Sequence, residues 1–201
     1  MPRERKSAET RIRLISAAGD ALIEGQGDFE MSQLARRAGV SDGLPYHYFG
    51  SKAGALSAVI DDFYDRYYAV VNQEFDGDAL WPEREFQRLQ AWIGFLYGDP
   101  LAPIVLGNMG RTVQVAGVET LRQDQLIGLA RRNIESGQRD GEISESIDAG
   151  IAAAAIIGAI RHAASQAFAE AKRPNPRLVT DQLWALISGA LGLVTPNRKD
   201  H

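Results

Sequence analysis

The sequence predicts an all-α fold of about nine helices, with a three-helix helix-turn-helix domain at the N-terminus and a helical bundle after it. Three observations carry that expectation. Apolar residues recur at helical spacing along nearly the whole chain. Alternating runs of period two bounded by turn signals are missing. The helical segments are short in the first fifty residues and longer afterwards. At 201 residues, 45% hydrophobic and 24% charged, the chain can bury a core and is too apolar for a disordered one.

The elements follow in order. From Thr10, Ile12, Ile15, Gly19, Leu22 and Ile23 form one amphipathic face, closed by Gly25-Gln26-Gly27. A second helix, about Met31 to Ala38, puts Met31, Leu34, Ala35 and Ala38 on one side and stops at Gly39. Ser41 can cap a third, through about Tyr48, and Ser51 a long fourth, to about Phe75. After the loop Gly77 to Pro82 come helices at about Glu83 to Tyr97, Leu101 to Met109 and Val115 to Ser136. A turn, Gly137 to Ile143, leads to two closing helices, about Ile147 to Lys172 and Pro176 to Val194.

Cysteine is absent, which excludes a disulfide framework, a thiolate zinc site and a cysteine nucleophile, and points to a reducing, cytoplasmic compartment. The polar start, Met1 to Glu9, reads as neither a secretory signal nor an anchor, and no run approaches the roughly 18 uninterrupted apolar residues of a spanning helix. No membrane partner is expected. The charge is uneven: eight basic and seven acidic residues up to Lys52, fourteen and nineteen beyond it. In the first thirteen residues Arg3, Arg5, Lys6, Arg11 and Arg13 face only Glu4 and Glu9. Such an arm suits a polyanion at one end of the molecule, or is simply a solvated tail.

Residues 31 to 49, MSQLARRAGVSDGLPYHYF, have the layout of a helix-turn-helix. A short apolar-faced helix is followed by a turn containing Gly39, with Val40 plugging the turn into the core, and then by a second helix. Ala35 is small where the second helix crosses. The segment resembles the tetracycline-repressor (TetR) family. Its N-terminal signature appears here as Leu34-Ala35, Ala38-Gly39-Val40-Ser41, Gly43, Tyr46-His47-Tyr48-Phe49, Ser51-Lys52 and Leu56. The match covers about residues 10 to 60. Beyond it, GQRDGEI at 137 to 143 followed by Asp148 is similar to the family's lead-in to its eighth helix.

The resemblance implies that the third helix enters the DNA major groove, with Ser41, Asp42, Gly43, Leu44, Tyr46, His47, Tyr48 and Lys52 as the contacting residues. Their chemistry suits the role. Gly43 lets the backbone come close, Leu44 can touch a thymine methyl, and His47 can reach a base edge or a phosphate. Tyr46 and Tyr48 offer hydroxyls to phosphates, although one of the two is expected to be packed. Lys52 offers a charge at a helix start. Asp42 either accepts from a cytosine amino group or caps the helix. Phe49 and Leu56 read as core. The chain departs from the family pattern at Glu30, where a capping Thr or Ser is usual, at Leu44 and at Pro45, which removes a backbone donor and is expected to bend the start of the reading helix.

Catalytic readings are weak. GVSDG at 39 to 43 fits the G-x-S-x-G pattern, yet a helix precedes it where the nucleophile elbow needs a strand. The three histidines, His47, His162 and His201, lack di-metal spacing, and no phosphate-cradling glycine loop occurs. No catalytic residue, metal or cofactor is expected.

The eighth helix is apolar nearly all round, and the ninth carries Leu183, Trp184, Ile187, Leu191 and Val194. Burial on both sides is implied, and the resemblance makes these two helices the homodimer interface. A small-molecule pocket for an apolar or aromatic effector is expected from Trp92, Phe95, Asn108, Met109, Arg111 and His162. Arg161-His162 in an apolar helix needs either a buried partner or a solvent-facing placement. The expected division is 1–52, a helix-turn-helix domain with a basic arm, and 53–201, a ligand-binding and dimerisation domain. The function expected is that of a ligand-responsive repressor that binds a palindromic operator in double-stranded DNA as a homodimer. The alternative is a helical ligand-binding or scaffolding protein of the same fold without specific DNA binding.

Overall fold

The structure is a computed structural model and describes residues 2–75, 79–107 and 113–193. Among these there are nine helices and no strand, as the periodicity predicts. They are α1 (Pro2–Glu24), α2 (Met31–Ala38), α3 (Gly43–Phe49), α4 (Lys52–Val71), α5 (Trp81–Gly98), α6 (Ala102–Leu106), α7 (Val113–Arg139), α8 (Ala149–Ala169) and α9 (Pro176–Ala190).

Several boundaries differ from expectation, and three of the differences have clear local reasons. α1 begins at Pro2, so the basic arm is helical rather than a tail. Proline is tolerated at a helix start, Arg5 Nε donates to Glu9 Oε1 at 3.0 Å one turn on, and Thr10 Oγ1 donates to the Lys6 carbonyl at 2.8 Å. α4 stops at Val71 instead of near Phe75, where the Arg88 guanidinium donates to the carbonyls of Val71 and Gln73. α5 starts at Trp81, whose backbone N–H is taken by Glu142 Oε2 at 2.8 Å, with Pro82 in the first turn.

The chain divides into two compact units, Met1–Arg66 with Asp99–Leu121, and Tyr67–Gly98 with Arg122–His201. Most of α4, Lys52 to Arg66, falls in the first of these units. In the first unit Leu14, Leu22, Leu34, Val59, Ile60 and Phe63 are buried almost completely. Each is worth about 1.5–3 kcal/mol of burial. A methyl placed on Gly19 would lie 3.6 Å from Leu101 Cδ1 and 3.9 Å from Val59 Cγ1, so α1, α4 and the lead-in to α6 meet there. Asp99, nine-tenths buried, takes the Arg66 guanidinium on Oδ2 and the Leu101 N–H on Oδ1 at 2.9 Å, which ties α4 to the start of α6.

In the second unit α5 packs on α9 and α8 on α9. The turn between α7 and α8 is closed by backbone bonds from Glu142 and Ile143 to the Gly137 carbonyl, and Asp148 caps α8 by accepting from Ile151 N at 2.8 Å. α8 buries one stripe, Ala153, Ile157, Ile160, Ala164 and Ala167. Its other face, Ile151, Ala154, Ala155 and Gly158, is exposed, as are Leu178 and Leu186 of α9. By length and composition α8 alone among the described residues is apolar enough to cross a membrane.

Candidate nucleic-acid interface and ligand cavity

α2 is built as its sequence requires. Gln33 Oε1 accepts from the Glu30 N–H at 3.0 Å, so glutamate replaces the usual hydroxyl cap without loss of that reciprocal bond. Gly39 ends the helix in the left-handed region (φ +62°), which places the Val40 N–H 3.0 Å from the Ala35 carbonyl. Leu34 and Ala35 are fully buried, and Val40 is half-buried rather than a core plug.

α3 runs as a continuous helix through Pro45, which is buried and lies in the first turn, where a missing N–H leaves no bond unmade. The Ser41 hydroxyl does not cap α3. Asp42 stands at the N-cap position in helical geometry without a side-chain bond, and the Ser41 backbone carbonyl accepts from Leu44 at 3.0 Å. Ser51 does cap α4, its Oγ accepting from Gly54 N at 3.1 Å.

Ser41, Asp42, Gly43, Tyr46 and His47 are exposed, with Leu44, Tyr48 and Lys52 half-buried, so all eight DNA-contact candidates remain at the surface. Phe49 and Leu56, expected in the core, are half-buried. Tyr48 is the tyrosine that packs: its hydroxyl lies 3.1 Å from Ser7 Oγ and donates to the Ser7 carbonyl at 3.3 Å. Tyr46 is 53% exposed.

Lys52 is held in a way that its position in the sequence does not reveal. Its Nζ lies 2.6 Å from Asp28 Oδ1 and 3.6 Å from Glu30 Oε1, and 5.8 Å from the centre of the Phe29 ring. The bond to Asp28 raises the lysine above its ordinary pKa, and the same lysine lowers the Asp28 carboxyl, with the Phe29 N–H contributing. The pair is therefore lost only as pH falls through the lowered Asp28 value or rises through the raised Lys52 value, and it is intact near neutrality.

Two glycines here behave oppositely. A Cβ on Gly54 would collide with the Phe49 carbonyl oxygen, whereas one on Gly43 would meet nothing within 4 Å. Gly54→Ala should therefore destabilise the first unit by about 1–3 kcal/mol, and Gly43→Ala should leave stability within about 1 kcal/mol of the parent. Urea unfolding of the two variants checks this. Equal midpoints would count against the junction geometry.

A cavity of about 190 Å³ lies within the second unit, between α5, α7, α8 and α9. Its walls include all three tryptophans of the chain, Trp81, Trp92 and Trp184, and the aliphatic side chains of Leu126, Ile157 and Ile160. Trp81 Nε1 donates to the Asn133 carbonyl at 3.1 Å. Trp92 is 4% exposed, and its buried indole N–H has no hydrogen-bond partner. The two charged wall residues satisfy each other: Arg88 Nε donates to Glu85 Oε1 at 3.1 Å, and the guanidinium lies 4.9 Å from the Phe75 ring centre.

Of the expected pocket residues, Trp92 lines this cavity. Phe95 does not; it packs on Tyr67, with ring centres 5.8 Å apart. His162 does not either, and is exposed one and three turns beyond Gly158 and Ile151 along the open stripe of α8. Asn108, Met109 and Arg111 lie outside the described residues. With the Gln123 amide turned so that its oxygen faces the guanidinium, that oxygen accepts from Arg161 Nε at 3.1 Å. Trp184 and Asn133 are walls that sequence periodicity assigns only to helix faces.

Residues 14–59 match the family described as bacterial regulatory proteins, tetR family. Over 99 residues the chain is 40% identical to the HTH-type transcriptional regulator BetI of Klebsiella pneumoniae (strain 342), a match that covers 47% of this chain and 48% of that protein. The chain thus aligns with about half the length of the curated relatives it matches. A TetR-family transcriptional regulator from Pectobacterium atrosepticum superposes with a TM-score of 0.67 at 25% identity, covering 96% of this chain and 98% of that one. The transcriptional regulator FadR from Bacillus subtilis, solved in complex with stearoyl-CoA, gives 0.74 at 20% identity, with 90% and 98% covered. The helix-turn-helix geometry and the N-terminal match agree: over residues 14–59 the chain carries the N-terminal domain of the tetR family of bacterial regulatory proteins.

Proposed function

We propose that the protein is a ligand-responsive transcriptional repressor that binds a palindromic operator as a homodimer, works in the cytoplasm, and is released from DNA by a small molecule in the tryptophan-lined cavity. The observation that carries this reading is the α2–Gly39–α3 unit, which leaves Asp42, Gly43, Tyr46 and His47 at the surface, backed by the buried Met31, Leu34, Ala35, Ala38 and Pro45. That is the arrangement a major-groove reader needs. Support for a small-molecule site comes from the cavity itself and from a neighbour of this fold solved with stearoyl-CoA. Support for a dimer comes from the open stripe of α8 beside Leu178 and Leu186 of α9, apolar surface that a second copy would cover. Arg161 and His162 interrupt α8, which suits that packing better than a lipid core.

Selection of bound sequences from a random duplex pool tests the reading, with a palindromic consensus expected. Failure to enrich any sequence would favour a ligand-binding protein without specific DNA recognition, a reading that the engagement of Lys52 by Asp28 and of Tyr48 by Ser7 keeps in view. For assembly, Gly158→Glu should convert dimer to monomer in sedimentation. Position 158 is exposed, and a Cβ there meets nothing within 4 Å, so the protomer accommodates the change and only a partner would be displaced. A monomeric parent protein at micromolar concentration would remove the dimer from the proposal.

A further inference from the structure

The cavity walls say more about the effector than that it is apolar. We infer that the site takes a small, uncharged, single-ring molecule carrying one hydrogen-bond acceptor, which the indole N–H of Trp92 binds. This rests on the reading of the cavity as the effector site.

Size is the first constraint. At about 190 Å³ the cavity is a little larger than a dry apolar cavity of about 150 Å³ that accepts benzene, and below the roughly 300 Å³ at which drug-sized pockets begin. One ring with a short substituent fits, and a long acyl chain does not. Charge is the second constraint. Arg88 and Glu85 are the charged groups among the walls, and Arg88 is already committed to the Glu85 carboxylate and the Val71 and Gln73 carbonyls. A carboxylate ligand would therefore be buried without a counter-ion.

The third constraint is polarity at one point. Three buried side-chain polar atoms lack hydrogen-bond partners among the described residues, Ser57 Oγ, Tyr97 Oη and Trp92 Nε1, and only the last belongs to a wall of this cavity. A buried donor left unpaired is costly, and a ligand acceptor removes that cost. Trp81, by contrast, already spends its N–H on the Asn133 carbonyl. The wall thus offers an apolar slot with a single buried, unpaired side-chain donor, since the other amides that line it, Asn72 and Asn133, are exposed and half-buried, and that donor discriminates between rings of the same shape by whether they accept.

Acetophenone and α-methylstyrene have the same shape and differ by an acceptor oxygen against a methylene. Calorimetric titration of the full chain without DNA should show acetophenone binding about fivefold more tightly, the size of one net hydrogen bond. In Trp92→Phe, which keeps a ring and removes the donor, the two should bind alike, while Trp184→Phe should retain the preference. Benzoate and decanoate should bind at least tenfold more weakly than acetophenone. Equal affinity of the two isosteres for the parent protein, a preference that survives Trp92→Phe, benzoate matching acetophenone, or no binding of either ring at millimolar concentration would each overturn the inference. Operator release is measured separately: compounds that bind in the expected order but leave DNA affinity unchanged would support the ligand class and remove the sensor role.

Discussion

Raising the salt from about 50 to about 200 mM should weaken operator binding by roughly 10³–10⁵-fold, the loss expected when about 6–10 phosphates are neutralised by a dimer. Per protomer the groups available to meet phosphates are Lys52, the Tyr46 and Tyr48 hydroxyls and the basic residues of α1, of which Arg11 and Arg13 are exposed. Lys52→Ala should lower affinity about equally on all sequences and reduce the salt slope by about 1 for each phosphate left without its lysine, because a lysine at a helix start meets phosphate and not base. His47→Ala should instead change sequence preference, with discrimination at one base pair falling by about 1–3 kcal/mol.

The carboxylates around Lys52 sharpen this prediction. A phosphate has to displace Asp28, 2.6 Å from the ammonium, and Glu30, 3.6 Å away. Asp28→Asn removes the nearer competitor while preserving a polar side chain next to the Phe29 N–H that Asp28 now accepts from. It should therefore raise affinity severalfold on operator and random DNA alike. Binding that ignores salt, or an Asp28→Asn variant that binds DNA less tightly than the parent, would show that Lys52 does not act on phosphate.

How far these features are legible in the sequence depends on whether their cause is local. α2 is readable to the residue because its apolar stripe is bounded by Gly39, and the cap at Ser51 is local as well, whereas the cap at Asp148 lies inside the span expected for the eighth helix. The helical arm is not readable, since Pro2 to Glu9 has no apolar period and is held by an ion pair of neighbours one turn apart. Lys52 is readable as a cation at a helix start, but its engagement is not, because Asp28 and Glu30 arrive from the loop before α2 and its N-cap. The need for glycine at position 54 arises from the Phe49 carbonyl across the α3–α4 turn and leaves no pattern in composition.

The body shows the same division. An apolar helix context makes His162 a pocket candidate but leaves its facing open, and the rotation of α8 set by Ala153, Ile157 and Ile160 facing inward carries it to the open side. Trp92 is readable as an aromatic residue within the apolar pattern of its own helix. Trp184 and Asn133 become cavity walls only through the packing of α5 against α9 and the placement of α7, which no single helix encodes.

Occupying the cavity should lower operator affinity by about 5–150-fold, the usual range for coupling of about 1–3 kcal/mol between two sites. The path proposed for this coupling is α4, which is helical from Lys52 to Val71. α4 starts at Lys52, a candidate phosphate contact, and ends at Val71, which is itself a cavity wall. One turn before that end, Tyr67 is buried edge-on against Trp92, with ring centres 5.2 Å apart. A ligand that binds Trp92 and prefers one position of the end of α4 thereby biases the whole helix, and DNA that prefers another position opposes it. Neither ligand needs to touch the other, and each must weaken the other by the same factor. Tyr67→Leu removes the aromatic packing between α4 and the cavity wall, so it should bring the coupling close to onefold while acetophenone still binds. The coupling is the ratio of operator affinities with and without compound on the same variant, so a uniform change in stability or in DNA binding cancels. Should a compound that fills the cavity leave operator affinity unchanged in the parent protein, the sensor reading fails even where palindrome binding holds. Should Tyr67→Leu retain full coupling, the signal does not pass through the end of α4.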